Sequence, residues 1–279
     1  MEINEVPEIA VLLPIKNGEK YIFRKIKSLR EQDYERFRVF ISVNLSSDNS
    51  LQLIQELTKD DKRFIVYEQK TDLTIAENIS FLVKKVQMKI VLLTAVDDFM
   101  SKNFLVQAIE LWASSPNMVA VVASANFDPP IHGSLRIQFD LSCSKSTRLR
   151  NLFDNIRVSH AIFYCLTTRD HLTNFIERYP VEFVGRDWIF AIFTCLHGPI
   201  LSTPNSEIVF SVNGASRQRD YLIQSANSVI EKVFPYITMV KEIIRMARRE
   251  DLRTKCHLYF FSVKLILGNL RRFIRNLLN

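Results

Sequence analysis

Asp97 and Asp98 stand side by side directly after the apolar run Ile90 to Leu93, and of the side chains in this 279-residue sequence they are the best placed to do chemistry. Adjacent carboxylates at a loop mouth suit a hard divalent cation such as Mg2+ or Mn2+, which takes oxygen ligands. The same pair could instead cap a helix starting near Ser101 or Lys102, because acidic groups complement the positive end of a helix. Asp187, just before Trp188 and Ile189, taken alone reads in that second way. Further polar groups collect at Pro14 to Glu19 and at Asn44 to Asp48. The five histidines form no HxxxH or HxH pair with nearby carboxylates, and Cys143, Cys165, Cys195 and Cys256 form no CxxC pair. Neither a histidine-based metal site nor a zinc or redox motif is therefore expected, and the cysteines read as buried free thiols in a reducing compartment.

Residues so far apart in sequence need a scaffold to bring them together, and the pattern up to Asp98 supplies one. Short apolar runs rich in β-branched residues alternate with longer amphipathic stretches, as in consecutive βα units. Strands are expected at Ile9 to Ile15, Phe37 to Val43, Arg63 to Tyr67 and Ile90 to Leu93. Helices are expected from Asn17, as cap, to about Arg30 with Tyr21, Ile22, Ile26 and Leu29 inward; after a Ser46, Ser47, Asp48 turn and cap; and from about Ile75 to Val86. In an open α/β sheet the ligand crevice lies at the carboxyl ends of the strands, and the polar groups at 14 to 17, 44 to 48 and 97 to 98 all follow strands. Beyond Met100 a helix near Lys102 to Ala113 and a strand near Met118 to Ala123 are legible, but the strand order is not.

The motifs, in order, resemble those of the family 2 glycosyltransferases. Leu13-Pro14-Ile15-Lys16-Asn17 with Ser28-Leu29-Arg30-Glu31-Gln32 is similar to the family's opening, and Val43-Asn44-Leu45-Ser46-Ser47-Asp48 falls where it has an Asp-Asp-Gly-Ser-x-Asp turn. Ala76-Glu77-Asn78 is similar to its third motif, Val96-Asp97-Asp98 to its acidic Asp-x-Asp, and Gly185-Arg186-Asp187-Trp188 to its Glu-Asp-Trp segment. Phe210 to Ser216 is similar to the strand and turn that close the donor site, with Asn213 in place of a histidine. The resemblance implies the α/β GT-A fold, a three-layer sandwich around a mostly parallel sheet, over about residues 1 to 216. It implies a nucleotide-sugar donor held by Pro14, Asn17, Glu19, Asn44, Asn78 and Asp97, and a divalent metal, Mg2+ or Mn2+, on Asp97 with Asp98 assisting. Asp187 would be the general base of a single inverting displacement, and the acceptor a glycan, plausible as a surface glycan on a lipid carrier. Val43 and Ala95 replace two acidic residues of the family pattern, which keeps open a binding or scaffold protein that has lost turnover.

Composition bounds the rest. A 47% hydrophobic chain of this length can bury a full core, and its six glycines and nine prolines suggest neither a low-complexity linker nor a turn-rich all-β fold. Residues 236 to 279 carry ten Lys and Arg against three acidic residues, a surplus of seven that equals the formal charge of the whole chain. This segment, within a helical region expected over 217 to 279, has an apolar stripe of Tyr259, Val263, Ile266, Leu270, Phe273 and Leu277, with Lys264, Arg271, Arg272 and Arg275 on another side. The stripe argues against nucleic acid; it suits either an anionic membrane surface or packing on the rest of the chain or a second subunit. No apolar run reaches the length of a spanning helix, and the start has no secretory signal, so the expected place is the cytoplasm, at most peripheral on the membrane.

Overall fold

Four strands open the chain, β1 (Ile9–Ile15), β2 (Phe37–Val43), β3 (Phe64–Glu68) and β4 (Ile90–Leu93), joined by helices α1 (Glu19–Arg30), α2 (Ser50–Thr58) and α3 (Ile75–Lys85). This is a computed structural model, and it describes residues 7–115, 117–128, 143–155, 159–211, 226 and 228–278, with the side chains of 159–160 and 272–278 left aside. The four strands are parallel in the order β3-β2-β1-β4. β1 and β4 are buried almost throughout, which is why they read as unbroken apolar runs.

The sheet continues through elements of weaker local signal. These are β5 (Phe99–Met100), α4 (Phe104–Ser114), β6 (Ala120–Asp128), α5 (Lys145–Asp154), a 3-10 turn at Ser159–Tyr164, β7 (Leu166–Thr168), α6 (Arg169–Arg178), α7 (Arg186–His197) and β8 (Ile200–Ser211). The full order is β3-β2-β1-β4-β7-β6-β8-β5. β7 runs antiparallel to both β4 and β6, β6 and β8 are parallel with an irregularity between Val122 and Ser124, and β5 closes antiparallel on β8.

Two capping expectations are corrected. Asn17 does not cap α1: its φ is +51°, and the cap is Gly18. Nor do Ser46, Ser47 or Asp48 occupy the cap of α2, which falls to Asn49 without a side-chain bond. Asp48 staples both helices instead, one carboxylate oxygen accepting from the Ser50 backbone N–H at 3.0 Å and the other from that of Glu19 at 3.0 Å.

The basic C-terminal region consists, among the described residues, of α8 (Val229–Val233), α9 (Ile237–Ala247) and α10 (Leu252–Leu278). It shares the core of the sheet domain: Met239, Ile243, Met246, Leu258 and Phe261 are buried in it, and Phe261 stacks on Phe153 of α5 at 4.2 Å. No helix among the described residues is long and apolar enough to cross a membrane.

α7 is apolar on nearly every side and fills the centre, and it carries a buried polar contact that gives a pH test. His171 of α6 lies 3.0 Å by Nε2 from Thr194 Oγ1 and among the rings of Phe190 and Phe193. Burial, with a smaller push from His197, lowers its pKa to about 4. A folded-state pKa below the unfolded value near 6.5 means the unfolded chain binds the extra proton; stability is complete above that value and falls as pH drops toward 4. The expected loss at pH 4.5 is about 2 kcal/mol relative to His171→Leu, read as the difference in their urea unfolding curves at pH 7 and pH 4.5. Parallel acid sensitivity in the two proteins would contradict it.

Candidate active site

The parallel pairing of β1 to β4 places their carboxyl ends, and therefore residues 16–18, 44–49, 69–74 and 94–98, along one rim of the sheet. β1 runs past its last partner on β4, Leu93 opposite Leu12, so Pro14, which has no N–H to donate, sits where the sheet opens. The first two loops are laced into one wall. The Asn17 N–H donates to Ser46 Oγ at 3.1 Å, and Asn17 Oδ1 accepts from the Ser47 N–H at 2.9 Å. The Glu19 carboxylate accepts from the backbone and the side-chain amide of Asn49, both at 3.0 Å. Asp48 is held ionised: burial raises its pKa, but bonds from Ser50 and the Glu19 N–H outweigh that and leave it below the usual carboxylate range.

Two residues expected to contact a nucleotide are turned inward. Asn44 is 3% exposed, and its amide is committed on both sides: Oδ1 accepts from the N–H groups of Leu45 and Leu73, and Nδ2 donates to Leu73 O at 2.7 Å and Asp72 Oδ1 at 3.2 Å. Asn78 is equally buried on α3, its Nδ2 donating to Ser42 O at 3.4 Å, so it braces the end of β2 from below. The helix that carries it starts at a reciprocal cap, Thr74 accepting from the Glu77 N–H while the Glu77 carboxylate accepts from Thr74.

Asp97 and Asp98 follow β4 and do not cap α4, whose cap is Asn103. Asp98 is buried, and its Oδ1 accepts from the Ser211 N–H at the end of β8, 3.4 Å away. Asp97 is more open. Burial raises the pKa of both; for Asp98 the neighbouring Asp97 adds to the rise. Behind them lies a residue the sequence reading left unassigned: Lys25 of α1, fully buried, donates from Nζ to Thr94 Oγ1 at 2.5 Å and Asp98 O at 2.7 Å. Burial lowers its pKa, and the charges of Asp98 and Asp97 oppose that. The sequence held a signal for it, since positions 22, 25, 26 and 29 form one helical stripe and Lys25 is the polar member. Gly18 brings α1 close to this loop, for a Cβ there would lie 2.9 Å from Ile15 and 3.2 Å from Val96.

Asp187 lies in the first turn of α7, where an acidic side chain faces the positive end of the helix. The turn before it requires glycine: Gly185 has φ +87°, and a Cβ would meet Met239 Sδ at 2.6 Å. Arg186 is buried and donates twice to Tyr179 O, at 3.2 and 3.1 Å. The neighbouring Glu182 has its pKa raised to about 7 by burial, against the pull of Arg186 and with the help of Asp187, and it accepts from the Ala76 N–H at the start of α3. That contact ties the Asp187 segment to the rim at the β3–α3 loop. Trp188 stacks face to face on Tyr236, 5.8 Å away, so the C-terminal helices also pack against this segment. Asn213 lies outside the described residues.

Comparisons with known proteins agree with this architecture. The sequence model of "Glycosyl transferase family 2" matches residues 10–174, more than half of the chain, ending before Asp187. A stretch of 58 residues is 33% identical to a GalNAc(5)-diNAcBac-PP-undecaprenol beta-1,3-glucosyltransferase of Campylobacter jejuni, covering 21% of this chain and only 19% of that enzyme. Among solved structures, S. aureus TarS 1-349 with UDP-GlcNAc superposes with a TM-score of 0.64 at 15% identity, over 93% of this chain and 71% of that one. The mannosyltransferase PcManGT of Pyrobaculum calidifontis with GDP-Man and Mn2+ gives 0.61 at 17% identity, over 97% and 73%. At such identities the structural likeness speaks for the fold, and the sequence model speaks for the family: the chain has the GT-A fold and belongs to glycosyl transferase family 2.

Proposed function

We propose that this glycosyltransferase moves a sugar from a nucleoside diphosphate to a glycan or lipid-linked acceptor in surface polysaccharide assembly, with inversion at the anomeric carbon. The observation that carries the reading is the gathering of the acidic loop after β4 and the laced loops after β1 and β2 on one rim of the sheet. The names of the relatives support the substrate class: two of them are seen with UDP-GlcNAc and GDP-Man, and the Campylobacter enzyme's name includes an undecaprenol-linked glycan. Asn17 and Glu19 shape the donor wall, and Pro14 lets the sheet open there.

The residues fit a divalent metal that is completed by the donor. Among the described residues no group of three or more His, Cys, Asp or Glu side chains could hold a metal unaided. One or two carboxylates plus substrate phosphates are, however, an ordinary set for Mg2+. Asp97, the more open of the pair, is the direct ligand, and Asp98, already engaged by Ser211, supports it. Bound there, the metal would offset charge on the leaving diphosphate. The acceptor oxygen forms its bond to the anomeric carbon as the bond from that carbon to the diphosphate breaks, and Asp187 accepts the hydroxyl proton. The loss of acids at Val43 and Ala95 favours the second reading, a binding protein without turnover. Calorimetry with UDP and GDP in Mn2+ or EDTA, paired with assays of sugar release, separates them: tight binding with no release from any donor would select the second.

The membrane enters through α10. Its face of Thr254, Leu258, Phe261, Ser262 and Asn269 is buried, while Tyr259, Phe260, Val263, Ile266, Leu267 and Leu270 lie 40 to 62% exposed beside exposed Lys264 and Arg271. The apolar stripe thus faces outward, and it suits the interface of an anionic bilayer. Val263→Glu with Ile266→Glu and Leu270→Glu is expected to cut co-sedimentation with anionic liposomes at least tenfold with the fold intact. Undiminished binding would refute the anchor.

A further inference from the structure

A cavity of about 370 Å3 lies between the loop that leads from α6 to Asp187 and the C-terminal helices α8 and α9. Its walls carry both signs of charge: Arg178, Tyr179 and Glu182 on the loop side, Glu231 of α8, and Glu242 and Arg245 of α9. Glu182 also accepts from the Ala76 N–H, so the cavity borders the rim at the start of α3. The acids are balanced in place. Glu242 pairs with Arg245 at 2.6 Å, Arg186 faces Glu182 at 4.0 Å, and Glu231, buried, accepts from the Thr238 hydroxyl. Tyr179 is the exception. It is 3% exposed, and its buried hydroxyl proton has no acceptor among the described residues. Burial raises its pKa, so at neutral pH the phenol stays a donor. A buried donor in this state is costly unless something that enters the cavity completes its bond.

We propose that this cavity holds a sugar unit of the acceptor glycan, one next to the unit that reacts. The inference rests on the transferase reading and extends it to the length of acceptor the protein grips. A phosphate entering here would meet three carboxylates, and an ammonium would meet two guanidinium groups. A neutral polyol suits both, because each of its hydroxyls donates and accepts: it can donate to Glu231 and Glu242 and accept from Tyr179 and the arginines. The volume falls within the about 300 to 1,000 Å3 usual for small-molecule sites. Position assigns the sugar to the acceptor. The cavity adjoins the segment that carries Asp187, the proposed base, whereas the donor phosphates belong with Asp97 after β4. Asp187 itself is not among the lining residues, so the sugar held here is not the one whose hydroxyl it deprotonates.

The test is saturation-transfer NMR of the full chain with free hexoses, N-acetylhexosamines and their disaccharides at millimolar concentration, for the wild type, Tyr179→Phe and Glu242→Ala. At least one saccharide is expected to bind the wild type, in EDTA as well as in Mn2+, and to stay bound when UDP or GDP is added. Tyr179→Phe should weaken that saccharide about three- to tenfold, the loss of one hydrogen bond, and Glu242→Ala at least as much. Melting temperature separates this from a structural role: removing an unsatisfied buried hydroxyl leaves the fold as stable or more so, and only a ligand notices its absence. A wild type that binds no saccharide, binding that both variants keep, or displacement by the nucleotide overturns the assignment. Titration of the wild type with UDP and GDP in Mn2+ tests the transferase reading separately. Saccharide binding as described with neither nucleotide bound would overturn that reading, and with it the acceptor role, while the cavity remained a sugar site.

Discussion

Asp187→Asn is expected to slow sugar transfer by about 10^2 to 10^4-fold while donor affinity changes by less than about twofold. The acceptor hydroxyl is far too weak an acid to attack unaided at neutral pH, and an amide of the same shape cannot take its proton. The substitution should leave the fold intact, because the turn is fixed by Gly185 and Met239, by the bonds of Arg186 to Tyr179, and by Trp188 on Tyr236. Single-turnover transfer rates with calorimetric donor affinity on the same preparation separate chemistry from binding. Transfer at the wild-type rate would remove Asp187 from the mechanism; a parallel loss of donor binding and thermal stability would reduce it to the helix-end carboxylate its position also allows.

Asp97→Ala is expected to remove the gain in donor affinity that Mn2+ gives, at least about tenfold, and to leave binding in EDTA unchanged or slightly stronger. Two carboxylates at the rim repel a diphosphate until a divalent cation joins them, and Lys25, buried against Asp98 O and Thr94, offsets part of their charge from behind. Taking Asp97 away removes a ligand and a repulsive charge together. Titrations with UDP and GDP in Mn2+ and in EDTA check this, and a variant that keeps the full Mn2+ effect would place the metal elsewhere.

β1, β2 and β4 were legible because the sheet buries them on both faces, and they fall on the expected residues, whereas the edge strand β3 is only partly buried and is shifted by one. In the far half α4 and β6 lie near the expected helix and strand, but the strand order was not legible, since β7 has only three residues and takes its place through pairing with β4 and β6, partners distant in sequence. Side-chain roles at the rim divide the same way. That Asn17, Glu19 and Asp48 lie on neighbouring loops followed from the strand ends, but that they bond one another, with Asn17 at positive φ, depends on the meeting of two loops. Asn44 and Asn78 read as donor contacts because nothing local tells an amide that braces a loop from one that awaits a ligand. α10 shows apolar residues on two faces, and only the packing of Leu258 and Phe261 decides that the stripe through Val263 and Ile266 is the outer one.

The most direct test of the account is release of nucleoside diphosphate and transfer of sugar from a panel of nucleotide sugars, in Mn2+, by the wild type, Asp97→Ala and Asp187→Asn. The account predicts that at least one nucleoside diphosphate sugar is turned over by the wild type and by neither variant at more than about a hundredth of its rate. No turnover of any donor, or turnover that survives both substitutions, would contradict it.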